Sequence, residues 1–292
     1  MLCLVMVLGV FAGCGDKKDD TAGGSASADA QTTPVSEMTT LTVGFDAEYP
    51  PYGYKDENGE YVGFDLDLAQ EVCNRMGWEL KKQPLNWDNK DADLNAGTID
   101  CIWNGFTMTG REDDYTFSAP YVDNSIVFIV MNDSDIKTEE DLAGKIVVTQ
   151  AGSSALTALT STEDNDENLA LKETFAELQE LPDYNTAFLN LESGAADCIA
   201  VDIGVAQYQL ASRGDTFRQL EEPLSTEQYA IGFKKGNEEL RDAVQKVLFE
   251  MYEDGTFMKI AEKYADYNLP EMICLQDYIE GNAGSEESGS AE

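Results

Sequence analysis

Two stretches, LNAGTIDCI (residues 94–102) and LESGAADCI (residues 191–199), share the pattern L-x-x-G-x-x-D-C-I. In each, the glycine falls where a helix should end, because the residue just past a helix takes the left-handed conformation and glycine does so cheaply. Each then runs into a short β-like segment. The copies lie about 100 residues apart, too far for a solenoid repeat. They predict two similar α/β lobes. Counted from the shared cysteine, Gly105 and Asp202 are equivalent positions beyond the two strands. Open α/β sheets bind ligands at the carboxyl ends of their strands, so facing lobes would bring both positions to one cleft.

The surrounding pattern supports this. Residues 41–45 read as a strand, and Tyr61 to Asp65 lead into a helix with Leu66, Ala69, Val72, Cys73 and Met76 at helical spacing. Residues 78–85 suggest another strand. After the apolar run from Ile126 to Met131 the pattern restarts: Thr138 caps a short helix, Gly144 ends it, and residues 146–149 form a strand. Residues 229–233 read as one strand, followed by a helix with Leu240, Val244, Val247, Leu248 and Met251 on one face. Strands alternating with helices predict largely parallel sheets.

Composition excludes several functions. The chain has 292 residues, with 19 Lys+Arg against 56 Asp+Glu, a net charge of −37. A nucleic-acid binder needs a basic footprint, and docking onto anionic lipid by charge is disfavoured for the same reason. There is no histidine. That excludes Ser-His-Asp and Cys-His triads and histidine metal sites. Without a CxxC pair either, no metal site and no cofactor are expected.

Leu2 to Ala12 is an apolar run ending in Phe11, Ala12, Gly13 and Cys14. It is shorter than the roughly 20 residues of a spanning helix and suits an export signal. Small residues directly before a cysteine resemble the lipobox of bacterial lipoproteins, although Phe11 stands where leucine is usual. The resemblance implies that Cys14 is lipidated. Residues 15–38 read as a flexible tether and 273–292 as a disordered tail. No later segment is apolar for long enough to span a membrane. Of the remaining cysteines, Cys73, Cys101, Cys198 and Cys274, two disulfides are arithmetically possible in an exported protein. Cys101 and Cys198 sit in apolar strand-like runs and read better as buried free thiols.

Five further stretches occur in order: VGFDAEYPPY (43–52), GFDLDL (63–68), WNGFTMTGR (103–111) with FSAPY (117–121), QAGSSA (150–155) and DCIAVD (197–202). Together they resemble the bacterial extracellular solute-binding proteins of family 3, the polar amino-acid receptors of ABC importers, over about residues 39–270. Here Arg111 comes one residue sooner after Thr109 than the family pattern has it, which predicts a tighter loop. The resemblance implies a two-lobed fold of the periplasmic-binding-protein type (type II) with a ligand cleft between the lobes. Lobe 1 would comprise residues 39–129 and 230–272, and lobe 2 residues 130–229. The chain would cross between them near 129–132 and 227–230.

The resemblance also implies a ligand site. Arg111 would supply a guanidinium for the ligand carboxylate, which suits bidentate pairing. Thr107, Ser153 and Ser154 would add hydroxyl and N–H donors. Asp202 would take the ammonium, with the Gly105 carbonyl. By itself Asp202 also reads as a helix N-cap, since residues 203–208 look helical. The ligand side chain would meet Asp46, Tyr49, Tyr52, Trp87, Asn104 and Gln150. An acidic Asp46 there favours a ligand with hydrogen-bond donors: Lys, Arg, ornithine, His or Gln. The implied protein is a monomeric, lipid-anchored, extracytoplasmic receptor that delivers an amino acid to an ABC permease and catalyses nothing. The alternatives are a dehydratase or lyase on the same scaffold, with Asp46 or Glu48 as an acid, and the sensor domain of a receptor. Against the latter, the chain has no transmembrane or kinase segment.

Overall fold

The computed structural model describes residues 33–162 and 166–279. The export signal, Cys14 and most of the expected tether and tail lie outside the described residues. The parts of the tether and tail that are described are ordered. Residues 35–37 form a 3-10 turn whose Val35 N–H donates to Glu239 (3.2 Å). Cys274 and Leu275 are buried, and Ile273 bridges Val122. The apolar residues among Val35, Met38, Ile273 and Leu275 pull these ends onto the core, a driving force that the polar composition around them obscures.

In the first sheet, β1 (Thr40–Phe45) lies between β5 (Glu79–Pro84) and β6 (Cys101–Ile102), all parallel. Next come β14 (Gly232–Lys234) and β7 (Tyr115–Phe117), both pairing antiparallel. A small antiparallel sheet of β2 (Glu48–Tyr49), β3 (Gly53–Lys55) and β4 (Tyr61–Val62) precedes helix α1 (Phe64–Met76). In the second sheet, β9 (Ile146–Gln150) lies between β10 (Glu177–Leu181) and β11 (Cys198–Asp202), again all parallel. The long strand β8 (Val122–Met131) joins β11 antiparallel and carries β12 (Phe217–Gln219) and β13 (Ser225–Tyr229) on its other side. Each sheet is thus three parallel strands continued by antiparallel ones, not parallel throughout.

The repeated stretches do equivalent work. Helix α2 (Lys90–Ala96) ends at Gly97 with φ 73°, and α5 (Tyr184–Ser193) ends at Gly194 with φ 75°. The two repeated aspartates each fasten a neighbouring strand: Asp100 Oδ2 accepts the Thr42 N–H (2.7 Å), and Asp197 Oδ2 accepts the Ile146 N–H (2.8 Å). The two cysteines that follow, Cys101 and Cys198, are buried. These and Cys73 and Cys274 are all free thiols.

The remaining helices, α3 (Ser154–Thr160), α4 (Asp166–Thr174), α6 (Ile203–Arg213), α7 (Glu238–Glu253) and α8 (Thr256–Ala261), flank the sheets. Helix α7 buries Leu240, Val244, Val247, Leu248 and Met251, the face that the spacing predicts.

Sheet membership differs from the expected lobe boundaries at one place. Residues 122–129, read in the sequence as the end of the first lobe, pair throughout in the second sheet. The chain passes between sheets within residues 117–122, not near 129–132. Ile126 to Val130 are buried because they lie within a ten-residue strand that is paired on both sides, and Met131 at its end is half-buried. The return passage is close to expectation but breaks the predicted strand at 229–233: Tyr229 pairs with Val122, whereas Gly232 pairs with Ile102 and Phe117.

Candidate functional site

Nine of the twelve expected ligand residues line one cleft: Tyr49, Trp87, Gly105, Thr107, Arg111, Gln150, Ser153, Ser154 and Asp202. The other three, Asp46, Tyr52 and Asn104, pack directly behind them. The space between these side chains is about 10 Å³, roughly room for one water. An amino acid is far larger, so admitting one requires the two sides to part. Hydrogen bonds cross the cleft in this closed form. Gln150 Nε2 donates to Asp46 Oδ2 (2.6 Å), and Asn185 donates to Glu48.

Arg111 closes a tight turn by donating its N–H to Met108 O (2.9 Å), with Gly110 at φ 78°. Its guanidinium stacks 5.1 Å from the centre of the Phe106 ring, and Nη1 donates to the Thr107 carbonyl at 3.4 Å. It makes no ion pair among the described residues. Most of its donors therefore remain free for an anion.

Asp202 holds the opposite charge. It is 2% exposed. Tyr229 OH donates to Oδ1 (2.6 Å), Asn124 Nδ2 to Oδ1 (2.9 Å) and Tyr184 OH to Oδ2 (3.3 Å). It sits at the N-cap position of α6, but its side chain makes no capping bond. The carboxylate instead faces the tyrosines and the cleft. Tyr49 OH meets Tyr229 OH at 3.0 Å, and Tyr52 packs edge-on against Tyr229 with ring centres 5.2 Å apart. Gly105 lies against this cluster with φ 54°. A Cβ there would come within 2.9 Å of Tyr49 and 3.0 Å of Tyr229, so only glycine fits.

At the other end, Asp46 is buried just past β1. Its Oδ1 accepts the Glu48 N–H (2.8 Å), and its own N–H donates to Asn104 Oδ1 (2.8 Å). Burial pushes its carboxyl up to about 6, against the hydrogen bonds from Glu48 and Gln150. Among the described residues Asn104 Nδ2 and Tyr52 OH are buried without a hydrogen-bond partner. Trp87 meets Phe106 edge-on, with ring centres 5.8 Å apart. The two serines differ in availability. Ser153 Oγ caps α3 by accepting the Leu156 N–H (3.1 Å) and donates to Gln150 O (2.7 Å), while its N–H already closes a turn to Gln150 O. Ser153 shapes the loop, and the Ser154 hydroxyl donates to Glu227 Oε1 (3.0 Å).

Three buried charged residues of the site escaped the sequence reading. Glu227 accepts the hydroxyls of Thr107 and Ser154. Asp65 braces Gly105, accepting its N–H at Oδ2 (2.6 Å) and the Tyr121 hydroxyl at Oδ1 (2.9 Å). Burial raises its carboxyl to about 7. Lys90, 6% exposed, lies 5.4 Å from the Trp87 ring centre and 3.9 Å from Asp91 Oδ2. Burial lowers its pKa. Asp65 belongs to the GFDLDL stretch, but nothing in that stretch reveals its contact with a glycine 40 residues away.

Residues 41–267 match the bacterial extracellular solute-binding proteins, family 3. The chain belongs to this family. It is 31% identical over 233 residues to the L-cystine-binding protein TcyJ of Escherichia coli (strain K12), covering 79% of this chain and 84% of that protein. It is 30% identical over 272 residues to the L-cystine-binding protein TcyA of Bacillus subtilis (strain 168), covering 90% and 96%. Among solved structures, Tv2483 bound to L-arginine superposes with a TM-score of 0.74 at 28% identity, covering 80% of this chain and 94% of that one. The fold is therefore the two-lobed α/β fold of these binding proteins. The relatives named here are binding proteins, not enzymes, which gives no support to a dehydratase or lyase. No helix among the described residues is long and apolar enough to cross a membrane.

Proposed function

We propose that this family 3 solute-binding protein captures a polar L-amino acid outside the cytoplasmic membrane, held there by lipid on Cys14, and passes it to an ABC permease. The observation that carries this reading is the pairing of two opposite poles in one cleft. Arg111 is a guanidinium without an ion pair among the described residues, and Asp202 is a buried carboxylate. An α-amino acid presents the complement, a carboxylate and an ammonium fixed on one carbon. Thr107 and Ser154 add hydroxyls at the carboxylate end, and the Gly105 carbonyl accepts at the ammonium end. The side chain extends past Tyr49 and Trp87 toward Asp46 and Gln150. Closure over the ligand is a hinge motion along the two passages between the sheets.

Asp46 selects a side chain that donates hydrogen bonds, basic or glutamine-like, in keeping with the arginine-bound neighbour. A second reading, cystine, rests on the two relatives named as cystine-binding proteins. The far ammonium of cystine is also a donor for Asp46. Thermal-shift screening of the twenty amino acids with ornithine and cystine tests both readings, with Asp46→Asn alongside wild type. A shift with a basic amino acid or glutamine that Asp46→Asn removes supports the first reading, and a shift with cystine alone selects the second. A shift with aspartate or glutamate alone would overturn both.

A further inference from the structure

Glu227 stands on β13, 8% exposed, with its Oε1 at the focus of three hydrogen bonds. Thr107 Oγ1 donates from the first-sheet side (2.7 Å), Ser154 Oγ from α3 (3.0 Å) and Asn124 Nδ2 from β8 (2.8 Å). A hydroxyl has a single proton to donate. The protons of Thr107 and Ser154, two of the donors assigned above to the ligand carboxylate, are thus already spent on Glu227. The same Asn124 Nδ2 also bonds Asp202 at 2.9 Å, so two carboxylates share one amide. A ligand carboxylate arriving at Arg111 would meet an ionised Glu227 competing for the same hydroxyls and repelling it.

We propose that Glu227 is a further ligand-binding residue, which takes up one proton from solvent as the amino acid binds and then donates a hydrogen bond to its carboxylate. The proposal rests on the amino-acid reading of the cleft. The bond formed is O–H on the Glu227 carboxyl, and the bond broken is the acidic bond to hydrogen of the buffer, whose conjugate base stays in solution. The route need not pass through the cleft. Glu227 also lines an open groove of about 570 Å³ behind β8 and β13, with Asp123, Ser125, Gln228 and Glu271.

The groups around Glu227 favour the proton. Burial, and then the neighbouring Asp202 at the end of β11, raise its carboxyl to about 7, against the hydrogen bonds from Thr107, Asn124 and Ser154. Tyr229 on its own strand and Tyr52 after β2 also face it, both pushed far above neutrality by burial. Asp123 and Glu271 add negative charge from the groove, and Arg111 lines the cleft as the opposing cation.

The test is titration calorimetry of the full chain with L-arginine, L-glutamine and L-cystine, each between pH 6.5 and 8.5 in two buffers of different ionisation enthalpy. The proposal predicts net uptake approaching one proton per ligand at pH 8, and a Kd that rises up to about tenfold per pH unit above 7. Asp46, at about 6, titrates below this window; Asp65, at about 7, titrates within it and is retained in Glu227→Gln, so the uptake assigned to Glu227 is the part that this variant removes. Glu227→Gln should bind without that uptake, at least as tightly as wild type at pH 8. Binding by wild type with no proton uptake and a flat pH profile overturns the proposal and leaves the amino-acid reading intact. A folded Glu227→Gln that loses more than about a hundredfold at every pH also overturns it, since the anion would then be what the ligand needs. No heat with any of the three at any pH overturns both. The proton count on wild type does not depend on the variant folding.

Discussion

Arg111 makes no ion pair among the described residues, in a chain with 56 acidic residues. Its guanidinium is held by a carbonyl and an aromatic face, which orient it without neutralising it. We expect Arg111→Ala to abolish binding of every amino acid, whatever its side chain, because the carboxylate is common to all. The loss should be about 2–5 kcal/mol, read by calorimetry. Near-normal affinity would remove Arg111 from the site. At this scale Arg111 was named only through the family resemblance, and Asp202 through the resemblance together with its position, equivalent to that of Gly105 in the repeat. Glu227 was not named. It lies in STEQY, an unremarkable polar strand, and its role depends on Thr107 and Ser154 converging from 120 and 73 residues away.

Between elements, the turn at Gly105 is the narrowest fit. Its N–H is fastened by Asp65 and its open face is filled by Tyr49, Tyr52 and Tyr229. Gly105→Ala should cost about 1–2 kcal/mol for left-handed backbone alone and push the tyrosines away from Asp202. Calorimetry should show at least a tenfold weaker ligand, and denaturant melts a correspondingly smaller stability. Unchanged affinity would mean that the tyrosine cluster does not shape the ammonium end. The helices and parallel strands were legible because hydrophobic period and glycine stops are local signals. The first passage between sheets was not. An apolar run such as Ile126–Met131 reads the same whether its strand belongs to the sheet before it or to the one after.

Across the described residues, burial raises the carboxyl of Asp46 to about 6 and those of Asp65 and Glu227 to about 7 in the folded state, and it pushes the half-buried Glu139 up as well. Their contribution to stability is present below about pH 4 and is lost as pH rises through 6 to 7. Asp254, lowered to about 2, acts oppositely but only below about pH 4. Unfolding by denaturant should therefore show stability falling from about pH 4.5 to 7.5. The net charge of −37 adds self-repulsion of the same sign. Salt screens that repulsion but not the buried carboxyls, so the slope should persist at 1 M salt. A slope that vanishes in salt would assign it to surface charge instead. Membrane attachment belongs to this scale too. Wild type should enter the detergent phase on partitioning, and Cys14→Ser should be released or left unprocessed. Aqueous partitioning of the processed wild type would refute the lipid anchor.

The central claim is that the cleft reads both poles of an amino acid at once. Titration calorimetry of wild type with L-arginine, its decarboxylated amine agmatine and its deaminated acid tests this directly, with the same series built on glutamine and cystine. The account predicts that the intact amino acid binds and that removing either pole weakens binding at least a hundredfold. A truncated compound that binds as tightly as its parent would contradict it.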